Sequence, residues 1–319
     1  MMIYESTREN IEKAARVILD GRLVSFPTET VYGLGGNSLD PKAVARIFEA
    51  KARPSFDPLI THIAELEMLD RIADVKSSRT FDIIERFWPG SLTLIVPKRD
   101  IIPDIVTSGL DTMAVRMPDH PTALELIRLS SGAVAAPSAN PFGYLSPTTA
   151  AHVDELLGDK IEMVLEGGTC RIGVESTVLD VTGERPIVLR PGGIALETIR
   201  ELIPDVGIFN RETTSPTAPG QLKMHYSPTR PLHIVDSVNL VSERERCGAL
   251  LFKDGPDVSG FSAVEILSPE GDPVEAAARL FVALHNLDRA GIDRIYAEKI
   301  PEEGLGRAVM DRIYKASEK

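Results

Sequence analysis

The sequence predicts an α/β protein built in two parts: a mixed-direction sheet over residues 1–205, then a small α/β unit over residues 232–319. Three observations lead there. Short apolar runs bounded by Gly, Pro or Asp interleave with segments of helical periodicity. In places several strand-like runs follow one another with no helix between them, which argues against a purely parallel sheet. After about Pro204 the composition turns rich in Pro, Thr and Ser, and regular patterning returns only at Leu232.

Residues 9–20 place Ile11, Ala15 and Ile18 on one helical face, and Gly21 ends that helix. Arg22 to Phe26 is a short apolar strand, closed by Pro27 and followed by a loop rich in Thr and Gly. Pro41 to Ala52 is helical, with Val44, Ile47 and Phe48 inward, and Pro54 stops it. Leu59 to Ile63 is a strand, and a helix begins over Ala64–Asp70. Further strands are expected at Ser91–Pro97, Met113–Arg116, Ala133–Ala136, Met163–Glu166, Thr177–Val181 and Ile187–Leu189. Helices are expected near 76–87, 121–129, 148–157 and 195–202. Residues 206–231 read as an extended, mobile linker. Beyond it, strands Leu232–Val235, Ala249–Phe252, Ala263–Leu267 and Arg294–Ala297 alternate with helices 273–290 and 305–316, a unit of nucleotide-fold size.

Composition narrows the function. A chain of 319 residues can bury a sizeable core without covalent staples. Its two cysteines, Cys170 and Cys247, form no CxxC pair, so neither a disulfide framework nor a cysteine zinc site is expected. The first residues, MMIYESTREN, lack the basic and apolar regions of a signal peptide, and no run approaches the roughly 20 apolar residues that span a bilayer. A cytoplasmic protein without membrane contact is expected. The net charge of −12 disfavours general nucleic-acid binding, and neither part of the chain is basic.

Seven short segments carry possible chemistry. Pro27–Gly35 (PTETVYGLG) lies between a strand and a helix. Its hydroxyls and N–H groups suit a carboxylate or phosphate, although a Gly-rich turn needs no ligand. It is neither a Walker loop nor a GxGxxG motif. Lys51 and Arg53, with Ser55, suit a triphosphate, although two cations also complement a helix C-terminus. His62 sits in a strand, where a packed histidine is the commoner finding. Alternation puts Thr112, Ala114 and Arg116 on one face, and Arg116 can clamp a carboxylate or make a sheet-edge ion pair. Ala135–Pro141 is a small-residue loop that leaves room for a ligand, and Ser146 follows it. Glu175–Thr177 and Arg190–Gly193 form an arrangement open to anions, with the two glycines entering a helix. His225 and Tyr226 are bulky rings in a Pro-rich segment, where rings are seldom needed.

In this order and at these spacings, FPTETVYGLGGN, KARPSFDPLITHI, DTMAVRMPDHP, APSAN, ESTVLD and LRPGG closely resemble the YrdC-type threonylcarbamoyl-AMP synthase family. HYSPTRPL and GLGRAVMDRI resemble its long, two-domain members. The resemblance implies an open twisted sheet around a deep cleft, a linker across the cleft mouth and a small Rossmann-like domain. It implies a nucleotidyltransferase that joins L-threonine, bicarbonate or CO2, and ATP into L-threonylcarbamoyl-AMP, with release of pyrophosphate. A partner complex would pass the group to tRNA, with which this chain could make weak contact.

By motif position, the resemblance assigns Thr28, His62, Arg116 and Ser176 to threonine, with Tyr32 beside that pocket. It assigns Lys51, Arg53, Ser55, Thr112, Ser138, Ser146 and Arg190 to the nucleotide, with Ala136 through its backbone and Tyr226 as a cover. Lys51 and Arg53, with Mg2+ brought by ATP, would stabilise charge on the departing pyrophosphate. Ala52 stands where the family more often has Gly, Asp57 where Asn is common and Gly36 where Ala is frequent. Asp57 is expected to face away from the phosphates or to help hold magnesium. Two other readings are a carbamoyl-adenylate-forming relative and a non-catalytic tRNA-binding module. The first normally brings a longer chain with Cys-rich zinc motifs, and the acidic charge argues against the second.

Overall fold

A computed structural model describes residues 2–209 and 225–318. Its strands in the first part are β1 (Ile3–Glu5), β2 (Val24–Phe26), β3 (Gly33–Asn37), β4 (Ile60–Ile63), β5 (Leu92–Pro97), β6 (Thr112–Arg116), β7 (Ala133–Ala135), β8 (Met163–Glu166), β9 (Thr177–Asp180), β10 (Ile187–Arg190) and β11 (Gly207–Ile208). They form one 11-stranded sheet in the order β1-β8-β2-β3-β7-β4-β6-β5-β9-β10-β11. Parallel pairs such as β4 with β6 and β5 with β9 alternate with antiparallel pairs such as β2 with β3 and β5 with β6, so the sheet is mixed.

Helices cover both faces: α1 (Arg8–Leu19), α2 (Pro41–Lys51), α3 (Leu66–Ile72), α4 (Ser78–Phe87), α5 (Asp104–Thr107), α6 (Pro121–Leu129), α7 (Ala150–Leu157) and α8 (Leu196–Leu202). Strand alternation divides the core between the faces. On β8, Met163 and Leu165 join Ile11, Ile18, Leu126 and Ile127 of α1 and α6. Val164 joins Ile47, Phe48, Ile83 and Ile84 of α2 and α4. Helix α1 starts at Thr7, whose hydroxyl accepts from the Asn10 N–H, and α2 starts at Asp40, which caps Lys42, with Pro41 in the first turn.

The second sheet contains β12 (Leu232–Val235), β13 (Cys247–Leu251), β14 (Ala263–Ile266) and β15 (Arg294–Glu298). It is wholly parallel, in the order β12-β15-β13-β14, with α9 (Pro273–Arg289) and α10 (Gly306–Ser317) completing the unit. Its core is continuous with the first part. Val31, Leu145, Val174 and Tyr226 pack in the same apolar cluster as Leu280 and Leu284 of α9 and Ile313 of α10.

The helix expectations hold to within about two residues, but three readings change. Gly33–Asn37, read as loop, is strand β3. Glycine is poor in isolated strands, but here it permits close packing: a Cβ on Gly35 would lie 2.6 Å from the Phe26 ring and 3.0 Å from Val134 Cγ1. Gly207–Ile208, read as linker, extends the first sheet by pairing with β10. His225–Pro231 is also not loose: His225 and Tyr226 are buried, and the Ser227 N–H donates to the Gly143 carbonyl at 2.8 Å. The rest of the linker expectation, residues 210–224, lies outside the described residues. Among those described, no helix is long and apolar enough to cross a membrane. Both cysteines are buried and unpaired.

Candidate active site

Beyond the ends of β2, β4, β6, β7 and β10 lies a cavity with about 560 Å³ of empty volume, within the usual range of roughly 300–1,000 Å³ for small-molecule sites. Its wall includes Thr28, Thr30, Arg53, His62, Arg116, Ala136, Ser138, Glu175, Ser176, Arg190, His225 and Tyr226.

The β2–β3 turn forms one wall. Thr28 folds it: its hydroxyl donates to the Val31 carbonyl at 2.6 Å and accepts from the Thr30 and Val31 N–H groups. The Tyr32 and Leu34 N–H groups donate to Pro147 and Pro137. The backbone donors that the sequence suggested for an anion are therefore used internally, which leaves anion recognition to side chains.

Arg116 is the side chain placed for that task. It ends β6, an interior strand rather than a sheet edge, opposite His62 of β4. Its Nη1 donates to Thr30 Oγ1 at 2.9 Å, its Nε to the Gly90 carbonyl at 3.0 Å, and its Nη2 lies 2.5 Å from Glu29 Oε1. Burial pushes the Glu29 carboxyl up, but Arg116 and the Ser91 hydroxyl outweigh it and hold the group below its ordinary value. His62 is driven the other way. Burial, then the Arg116 charge, lowers its pKa to about 3, so its ring is neutral at physiological pH. Its buried Nδ1 has no hydrogen-bond partner within the protein.

Arg53 forms the second cationic wall. Its Nε and Nη2 donate to the Asp57 and Pro58 carbonyls, and Nη2 lies 2.9 Å from Asp57 Oδ2. Asp57 therefore turns toward Arg53 and does not face away. Burial nevertheless raises the Asp57 pKa and lowers that of Arg53, so desolvation outweighs their mutual attraction. A cation in that condition gains from a further anion. Lys51 is also buried, but its ammonium donates to the Ser138 carbonyl at 2.6 Å and to the Asn140 carbonyl. It braces the 138–140 loop from behind and does not line the cavity. Burial and the Arg53 charge pull its pKa well down.

On the third wall, Arg190 donates through Nη2 to the Ser176 carbonyl at 2.8 Å and to Ser176 Oγ at 3.2 Å. Gly192 makes this approach possible: a Cβ there would lie 2.3 Å from the Glu175 carbonyl oxygen and 2.4 Å from the Thr177 nitrogen. The pair of glycines thus serves backbone packing. No helix follows directly, because α8 starts only at Leu196, and the Gly193 N–H donates to the Glu175 carbonyl.

Tyr226 closes the cavity. It holds φ +61°, a left-handed conformation that costs a non-glycine residue about 1–2 kcal/mol. Its ring rests 5.7 Å from that of Phe281 and 4.0 Å from that of His225.

Of the residues singled out in the sequence, Thr28, His62, Arg53, Arg116, Ala136, Ser138, Ser176, Arg190 and Tyr226 line the cavity. Five do not. Tyr32 is buried against Gly167 and Gly168, Ser146 Oγ donates to Glu175 Oε1 at 2.5 Å, and Lys51 lies behind the loop. Ser55 is exposed and Thr112 sits at the far end of β6. Thr30, Glu29 and Glu175 were within quoted motifs but were given no role. Arg312 of α10, which reaches Glu175, had no local signal.

The model of the family described as "Telomere recombination", Sua5/YciO/YrdC, matches residues 16–192. That described as "Threonylcarbamoyl-AMP synthase, C-terminal domain" matches residues 194–318. The chain belongs to the Sua5/YrdC family. The threonylcarbamoyl-AMP synthase of Pyrococcus abyssi is 46% identical, over 99% of this chain and 98% of that protein. That of Bacillus subtilis is 41% identical, over 96% and 92%. The crystal structure of P. abyssi Sua5 complexed with L-threonine has a TM-score of 0.92 at 43% identity, covering 99% and 98% of the two chains. E. coli YciO, at 21% identity and a TM-score of 0.53, shares the fold. Sua5/YrdC proteins of this kind are nucleotidyl-transferring enzymes.

Proposed function

We propose that the protein condenses L-threonine, bicarbonate or CO2, and ATP into L-threonylcarbamoyl-AMP and pyrophosphate. The observation that carries this is the convergence of Arg116 and His62 with Arg53, Arg190 and Tyr226 on one cavity, in a chain similar along its whole length to threonylcarbamoyl-AMP synthases.

In this reading Arg116 binds the threonine carboxylate, with Thr28, neutral His62 and Ser176 around the amino acid. The neutral amine attacks CO2, a C–N bond forms and a proton leaves, giving a carbamate. The carbamate oxygen attacks the α-phosphorus of ATP, and the bond from that phosphorus to the bridging oxygen breaks. Pyrophosphate departs with the bond's electron pair. Arg53, Arg190 and Ser138 hold the phosphates, Ala136 contributes its backbone, and Tyr226 covers the nucleotide. Lys51 supports this wall indirectly, through the 138–140 carbonyls. Ser55, Thr112, Ser146 and Tyr32 reach ligand only if their surroundings rearrange. Water exclusion by Tyr226 protects the carbamate, which water would decompose.

Among the described residues no cluster of three or more His, Cys, Asp or Glu side chains is disposed to hold a metal. Magnesium accordingly enters as Mg–ATP, held by phosphate oxygens and water as is usual for this ion. The catalytic unit is residues 1–205, extended to Ile208, with His225–Tyr226 returning over the cavity. The product passes in the cytoplasm to a tRNA threonylcarbamoyl-transferring complex. The test is pyrophosphate release from ATP: it should require both threonine and bicarbonate. Equal release without threonine would refute the reading.

A further inference from the structure

Arg312 lies on α10, in the second unit, yet it is fully buried beside the cavity. Its Nε donates to Glu175 Oε2 at 2.8 Å. Its Nη1 donates to the Pro191 carbonyl at 3.0 Å and to Asp311 Oδ2 at 2.5 Å. Its guanidinium carbon stands 5.0 Å from the centre of the Tyr226 ring, a cation–π distance. The other oxygen of Glu175 accepts from Ser146. One side chain thus touches a carboxylate of the cavity wall, the backbone next to Arg190 and the aromatic cover.

We propose that Arg312 is a positioning residue for the nucleotide half of the cavity, so that the second α/β unit is an integral part of the site. The inference rests on the proposed reaction and gives it a second, independent support for the nucleotide. The physical argument is competition between cations. Glu175 is a buried carboxylate that follows Val174 in the apolar core and adjoins Ser176, the residue to which Arg190 is bonded. Without Arg312 its nearest compensation is Arg190, and an Arg190 neutralised by Glu175 is lost to a phosphate. Arg312 holds Glu175 away through a charge-assisted hydrogen bond. The same guanidinium, with Phe281 of α9, forms the surface on which Tyr226 rests. Tyr226 sits in a strained backbone conformation, which persists only where its surroundings hold it.

The test uses the full chain with Arg312→Met, Arg312→Lys and the double variant Arg312→Met/Glu175→Gln, in which no charge is stranded. ATP binding is measured by calorimetry, and the KM values for ATP and threonine by pyrophosphate release. Arg312→Met should weaken ATP binding and raise its KM about tenfold or more, as loss of one partner of a buried pair does, with the threonine KM within about twofold. Arg312→Lys should recover part of the loss. The double variant should fold like the parent but keep the raised ATP KM, because Tyr226 has lost its support. A merely structural role predicts lower active fraction with unchanged KM values. That result, or a folded double variant with parental ATP affinity, overturns the proposal. A parent chain that binds ATP but releases no threonine-dependent pyrophosphate would overturn the proposed reaction, while calorimetry would still decide the role of Arg312.

Discussion

Arg116→Ala perturbs two equilibria whose sizes follow from the geometry. Arg116 is buried, as is Glu29, whose Oε1 lies 2.5 Å away. Removing the cation leaves Glu29 with the Ser91 hydroxyl at 3.0 Å as its remaining side-chain donor. Breaking a buried pair in this way costs about 3–5 kcal/mol of stability. Separately, a hydrogen bond from a charged group to the threonine carboxylate is worth about 1.5–3 kcal/mol. At about 1.4 kcal/mol per factor of ten, that loss raises the threonine KM roughly 10- to 150-fold. The ATP KM should move little, because Arg53, Ser138 and Arg190 are untouched. The two effects separate in Arg116→Ala/Glu29→Gln, where no charge is stranded: thermal stability should return toward the parent while the threonine KM stays high. The assay is steady-state pyrophosphate release with each substrate varied in turn. Equal increases in both KM values, or a threonine KM restored in the double variant, would refute the assignment of Arg116.

Three further outcomes are expected. Ala52 holds φ +51° as the C-cap of α2. Ala52→Gly should relieve about 1 kcal/mol, a rise of roughly 1–2 °C in melting temperature for a chain of this size. An unchanged or lower melting temperature would contradict it. Gly192→Ala should abolish activity and destabilise the fold, because its Cβ meets backbone at 2.3–2.4 Å. Gly183→Ala, with nothing nearer than 3.8 Å, should be silent by the same assays. The third concerns pH. His285 is lowered to about 3 by burial and then by His152, whose ring stacks on it at 4.0 Å. The unfolded chain takes up a proton near pH 6.5 that the folded chain refuses. The stabilisation is therefore complete above pH 6.5 and falls as pH drops toward about 3, by up to about 1.4 kcal/mol per unit. His62, also lowered to about 3, acts in the same direction. Denaturation at pH 5, 6 and 7 should show a shallower dependence for His285→Gln, and an identical slope would count against this account.

The Arg53–Asp57 pair shows how a substitution unusual for the family takes its meaning from folding. Sequence reasoning sends Asp57 away from the phosphates or to a metal, because a carboxylate beside a triphosphate is repelled. The turn after α2 instead places it four residues from Arg53, where it pairs with the guanidinium at 2.9 Å inside the protein. The positive charge that Arg53 presents is thereby tempered, not lost.

Most elements were legible in the sequence because their causes are local. Apolar spacing and caps within a few residues define α2 and α6, and the β-rich runs define β5, β6 and β13. The motifs likewise marked Thr28, Arg53, His62, Arg116, Ser138, Ser176, Arg190 and Tyr226, all of which reach one cavity. Strand β3 was not legible. Its glycines carry no strand preference and become a strand only because β2 and β7 flank them. Nor was it legible that the 30–34 N–H groups are spent on the fold, that Lys51 faces carbonyls, or that Ser55 stays exposed. Arg312 is the furthest case: its partner Glu175 lies 137 positions away. A contact at that separation leaves no local pattern, because burial and charge compensation between distant segments exist only once both sheets have packed.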